Sequence, residues 1–195
     1  MYLFILPVKT YAKNNKFLLL MEALQYPIGR FEAQPDYTPD MLQGFIKDIG
    51  YLPALVEIAV QHLDEYQLQT PYRHEGWTVA QVVHHLADSH MNGYTRMKLA
   101  LTEELPVIKP YDEAAWAMLP DVKHTPINMS VTLLHALHTR WVNLMKHLSA
   151  ADWERRFVHP ANGTQFNLKT HAANYAWHGK HHLEHILRLK ERMDW

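Results

Sequence analysis

The stretch Trp177-His178-Gly179-Lys180-His181-His182-Leu183-Glu184-His185 places four histidines within eight residues. Tyr175, Ile186, Leu187 and Leu189 continue an apolar helical pattern on both sides, so the run belongs to a helix and is no tag. Residues four apart on a helix stack on one face, and two histidines at that spacing can grip one metal ion. Two such pairs exist, His178/His182 and His181/His185. The apolar stripe is Ala172, Tyr175, Gly179, His182, Ile186 and Met193. At roughly 100° per residue, His182 falls in that stripe, His178 at its edge, His181 nearly opposite and His185 between. The reading predicts that His178/His182 faces a core and the other pair faces water. An isolated His-x-x-x-His is more often a helix with core-edge and surface histidines. A second histidine cluster elsewhere in the chain shifts that balance.

The helix carrying this stretch is expected over residues 168–193. Before it, Asn162-Gly163 lies between Arg156-Phe157-Val158-His159 and Thr164-Gln165-Phe166, a small hairpin signal. A third helix, over about residues 130–148, carries Leu133, Leu134, Leu137, Trp141, Leu144, Met145 and Leu148. Residues 103–121 form a long segment rich in proline and aromatics, read either as a lid or pocket wall or as a plug on a bundle end. A second helix starts at Trp77-Thr78-Val79-Ala80-Gln81-Val82. Thr78 and Gln81 form a capping box there, and Trp77 with Val82 a hydrophobic staple. This helix runs to about residue 102 and contains His84-His85-Leu86-Ala87-Asp88-Ser89-His90. The first helix opens at Thr38-Pro39-Asp40, with a kink or a break and restart expected at Gly50 and Pro53.

Length and composition narrow the classes. The chain has 195 residues, 48% of them hydrophobic, which suits one globular domain. Twenty acidic residues nearly cancel 19 basic ones, so no basic field offers itself to nucleic acid. Histidine is the outlier at 15 copies, and cysteine is absent. Disulfides and cysteine nucleophiles are excluded, and any metal must be held by His, Asp or Glu. The absence of cysteine also favours a cytoplasmic setting. The apolar run at residues 2–8 is too short to span a bilayer, and its lysines follow rather than precede it, unlike a secretory signal. Residues 1–20 read as an upstream extension, the alternative being a peripheral segment, and residues 21–195 as a single domain.

Four amphipathic helices, one with a His pair and one with a His cluster, suggest a metal site inside an all-α four-helix bundle. Three protein ligands and an open position are the pattern of catalytic zinc. His178 and His182 supply two ligands; His84, His85 and His90 are candidates for the third. His84 points away from the apolar stripe, and periodicity does not choose between His85 and His90. Glu-x-x-His, His-Glu-x-x-His, phosphate-binding glycine loops and Gly-x-Ser-x-Gly elbows do not occur.

The run from Gly76 to Asn92, GWTVAQVVHHLADSHMN, resembles the signature of the YfiT branch of the DinB-like superfamily. So do Tyr26-Pro27-Ile28-Gly29, Lys109-Pro110-Tyr111-Asp112-Glu113 and Trp177-His178-Gly179-Lys180-His181-His182. The likeness extends from Tyr26 to the C-terminus. It implies a four-helix bundle holding one divalent metal ion, zinc or nickel, through His85, His178 and His182. Many relatives carry Gln at the place of His185, which speaks against His185 as a ligand. The resemblance further implies a metal-dependent hydrolase, or a transferase that joins a low-molecular-weight thiol to an electrophile, in a protein that can pair as a homodimer. A non-catalytic metal or small-ligand binder is the alternative. Tyr111, Asp112, Trp116 and His159 are candidate pocket residues. Asp88 and Glu184 are near the ligands in sequence.

Overall fold

The computed structural model describes residues 21–160 and 163–195. The N-terminal segment, residues 1–20, lies outside these, as does part of the hairpin turn. The elements in order are α1 (Pro39–Val60), α2 (Glu65–Leu68), α3 (Val79–Thr102), α4 (Glu113–Trp116), α5 (Pro120–His124), α6 (Ile127–Lys146), α7 (Ala150–Trp153), β1 (Arg156–His159), β2 (Thr164–Asn167) and α8 (Leu168–Met193). Four long helices make the bundle. Thr78 caps α3 with its side chain while Gln81 reaches back to the cap backbone, and Thr38 caps α1. The two strands pair antiparallel, Phe157 opposite Phe166. Among the described residues no helix is long and apolar enough to cross a membrane.

Two core clusters show which way each helix runs. Leu42, Ile46, Met97, Trp141, Met145, Leu168 and Tyr175 meet at one end. Val56, Val60, Val79, Val82, Val131, Leu134, Ile186 and Leu189 meet at the other. Helices α1 and α8 therefore point one way, and α3 and α6 the other. Because consecutive α3 and α6 are parallel, the chain between them must travel back along the bundle. That is the work of the aromatic segment. It leaves α3 beside the hairpin, where Ile108 donates its N–H to the carbonyl of Val158 (3.0 Å). It arrives at the start of α3, where Gln81 Nε2 donates to the carbonyl of Ala117 (2.9 Å).

Helix α1 runs unbroken through Gly50 and Pro53, where a kink or restart is expected from the sequence. Proline has no N–H to give the carbonyl four residues back, which is that of Ile49. Here that carbonyl is satisfied from another helix, by His138 Nδ1 at 2.5 Å. Between α3 and α8, Gly93 lets the ring of Tyr175 lie directly on the α3 backbone. A Cβ at this position would collide with Tyr175 and Trp141. The Tyr175 hydroxyl donates to the carbonyl of Ser89 (3.1 Å), and His171 Nε2 donates to that of Gly93 (2.9 Å).

Candidate metal centre

His85 on α3 and His178 and His182 on α8 bring one ring nitrogen each to within 4.8 Å of one another. The Nε2 atoms of His85 and His178 are 3.2 Å apart. His85 and His182 are buried and His178 nearly so. Burial holds the His85 pKa down at about 4, and pushes those of His178 and His182 well below the ordinary imidazole value; neighbouring histidines push the same way. The rings are thus neutral near pH 7, the form that ligates a metal. Trp77 covers the group, its ring 4.6 Å from that of His85 and stacked 6.2 Å from that of His182.

A line of buried histidines stands behind His178. Ile49's carbonyl can only accept, so His138 Nδ1 carries a proton and its Nε2 a lone pair. His138 Nε2 lies 3.0 Å from His90 Nδ1, which must therefore donate. His90 Nε2 then accepts from His178 Nδ1 at 3.1 Å. His178 is left with its lone pair on Nε2, directed at His85 and His182. One backbone carbonyl thereby sets the tautomer of a candidate ligand three rings away, the role that outer hydrogen bonds play around metal-binding histidines.

His178 and His182 line a cleft of about 400 Å³ walled by Tyr26, Tyr72, Trp77 and Trp177, with Glu75 and Glu113 among its lining. The fit to a divalent cation rests on two features. The buried Nδ1 of His182 has no hydrogen-bond partner among the described residues. The donor set, three neutral imidazoles, suits zinc, nickel or copper.

The other sequence candidates take various places. His90 is fully buried in the line just described, behind the trio. His84 is buried on the far side of α3, its Nδ1 2.8 Å from Ser130 Oγ. Tyr111 and Trp116 pack on each other (4.4 Å between rings), and Asp112 caps α4; Glu113, between them, reaches the cleft. His159 stands on β1 at the hairpin end of the bundle, near Phe166 (6.5 Å). Asp88 is half-buried with its pKa raised to about 6, by burial first and by Asp121 second, and Glu184 pairs with Arg188. The expectation that His181 and His185 face water is wrong: both are buried, at 7% and 2% exposure. Helical periodicity assumes one buried face, but Gln25, Tyr26 and Tyr72 close over the second face of α8. His138 escaped the sequence reading, though it continues the α6 stripe of Leu134, Trp141 and Met145. Trp77 was legible as a staple but not as a cover for the histidines.

The DinB superfamily model matches residues 51–186. The chain belongs to the DinB superfamily. Among its DinB relatives, a Bacillus mycoides protein named "putative metal-dependent hydrolase" is 49% identical over 175 residues, which is 90% of this chain and all of the relative. A protein of the same description from Oceanobacillus iheyensis is 51% identical over 171 residues, 88% of this chain and 98% of its own. Among solved structures, YfiT from Bacillus subtilis, described as a probable metal-dependent hydrolase with an unusual four-helix bundle topology, superposes with a TM-score of 0.87. It is 44% identical, and the match covers 89% of this chain and 99% of that one.

Proposed function

We propose that the protein is a metal-dependent enzyme whose divalent ion, zinc or nickel, is held by His85, His178 and His182. The observation that carries this is the meeting of three neutral, largely buried imidazole nitrogens from two helices within 4.8 Å, at the edge of an open cleft. Three protein ligands leave coordination positions free. When bound, the ion lowers the pKa of a nucleophilic water or thiol and polarises a carbonyl. The protein's own part is to hold, orient and shield. The line from Ile49 through His138 and His90 keeps His178 Nε2 aimed inward. The aromatic walls take an apolar substrate and thin the water around it. Glu113, its carboxyl pKa raised by desolvation, stands at the cleft as a proton acceptor.

Two reactions suit this arrangement. The names of the relatives favour hydrolysis. Transfer of a small thiol to an electrophile uses the same open position, and a chain without cysteine must take that thiol from outside. The test is a panel of bacillithiol, glutathione, coenzyme A and cysteine against one chromogenic electrophile, beside ester and amide substrates, each with and without chelator. A chelator-sensitive rate in one arm identifies the reaction. Metal binding with no rate in any arm makes the protein a non-catalytic binder and removes the enzyme reading.

A further inference from the structure

His181, His182 and His185 form a second convergent group on α8, again with one ring nitrogen each within 4.8 Å of the others. The Nδ1 atoms of all three are buried without a hydrogen-bond partner among the described residues. Buried polar atoms are nearly always paired, and with His182 already facing the first centre, the orphans on His181 and His185 ask for a common partner. For His185 the tautomer is set. Its Nε2 lies 3.1 Å from the carbonyl of Gln25, so Nε2 carries the proton and Nδ1 a bare lone pair. An outer N–H on a carbonyl with an inner lone pair free is how metal-binding histidines are oriented. The rings are also held in place. Tyr72 stacks on His185 at 3.9 Å and Trp177 on His181 at 4.6 Å, while His181 and His185 stand 4.3 Å apart edge to face.

We propose that His181 and His185 hold a second divalent transition-metal ion beside the His85/His178/His182 centre, with His182 lying between the two. Imidazole donors select zinc, nickel, copper or cobalt over magnesium or calcium. A neutral His182 has one lone pair and serves one ion at a time. The second ion therefore rests on His181 and His185, and takes its remaining positions from water or from the Glu75 and Glu113 carboxylates that line the same cleft. Two dications this close repel, so the second binds more weakly than the first. Facing the cleft, it adds positive charge for an anionic group of the substrate.

The test titrates the metal-free full chain with zinc against a chromophoric chelator, with cobalt absorbance as a second measurement. The wild type takes two equivalents, the second at least about tenfold weaker, in keeping with charge repulsion. His185→Gln and His181→Ala each keep the tight equivalent and lose the weak one. The glutamine amide can still donate to the Gln25 carbonyl, and a melting curve on each variant checks the fold. His85→Ala keeps one equivalent of the two, and that one binds more tightly than the weak equivalent of the wild type because the first ion no longer repels it. A wild type that saturates at one equivalent overturns the second ion, and two equivalents retained in both His185→Gln and His181→Ala overturn its assignment. A His85→Ala variant that binds no metal also overturns it. Two equivalents that survive in His85→Ala sink the three-histidine reading instead, so the two failures are told apart.

Discussion

The bundle holds two groups of three histidines, one drawn from three helices and one from a single helix, that differ in how their ring nitrogens are matched. In the line His138–His90–His178 every joint has a donor and an acceptor, starting from the Ile49 carbonyl. In the group His181–His182–His185 three Nδ1 atoms have no partner. The first group spends its hydrogen bonds on orientation, and in the second the Gln25 carbonyl leaves the lone pair of His185 on its unmatched Nδ1. His178 belongs to the line and borders the group. Burial alone does not separate these two groups; the unmatched nitrogens do.

The sharpest way to break this contrast is at the residue where the two regions meet. His178→Ala removes a ligand and the end of the line together, so metal content and turnover are both expected to be lost, as read by elemental analysis and a chelator-controlled assay. Next in size is His138→Leu, which leaves every candidate ligand in place but removes the anchor. It should destabilise the fold by about 1–3 kcal/mol, because His90 Nδ1 loses its acceptor, and weaken metal binding about 10–100-fold. Nitrogen NMR of the imidazoles should show His178 sampling both tautomers in this variant; a single tautomer with unchanged affinity would mean the line positions nothing.

Acid should erode the satisfied histidines in a defined window. Burial holds His138 and His171 at about 4 against an ordinary 6.5, each partly offset by a hydrogen bond to a backbone carbonyl. Below 6.5 the unfolded chain takes up protons that the folded chain refuses. Stability is then full above about 6.5 and falls as the pH drops toward 4, by about 1.4 kcal/mol per pH unit for each such histidine. Denaturant melts of metal-free protein at pH 7 and pH 5 measure it, and equal stabilities would remove the premise that these rings are buried neutral. The smallest effect is expected at Trp116→Ala. Trp116 packs on Tyr111 and shares its short helix with Glu113, which lines the cleft, so metal content should stay unchanged while turnover of apolar substrates falls a few-fold as that wall loosens, the size of a lost apolar contact.

The fold was legible where a local rule decides it. The Thr78/Gln81 capping box marks the start of α3, and the amphipathic stripe of α8 fits its observed span from Leu168 to Met193. The hairpin appears where Asn162-Gly163 stands between two short apolar runs. The crossover between α3 and α6 was visible only as a long aromatic segment. Its purpose depends on two helices being parallel, which no local pattern encodes. The meeting of His85 with His178 and His182 came from resemblance, since periodicity left His90 equally eligible. His90 proves to stand one ring behind. The burial of His181 and His185 was beyond reach because it depends on Gln25, Tyr26 and Tyr72, far away in the chain.

Pro53 gives the bundle its proton order. Had residue 53 been any other amino acid, its amide would compete with His138 for the Ile49 oxygen. The hydrogen that proline lacks is thus supplied by His138, and once that proton is placed, those of His90 and His178 follow in turn. One vacancy in the helix ladder of α1 writes the direction of every bond along the line, from a backbone oxygen on one helix to the nitrogen that faces the cleft on another.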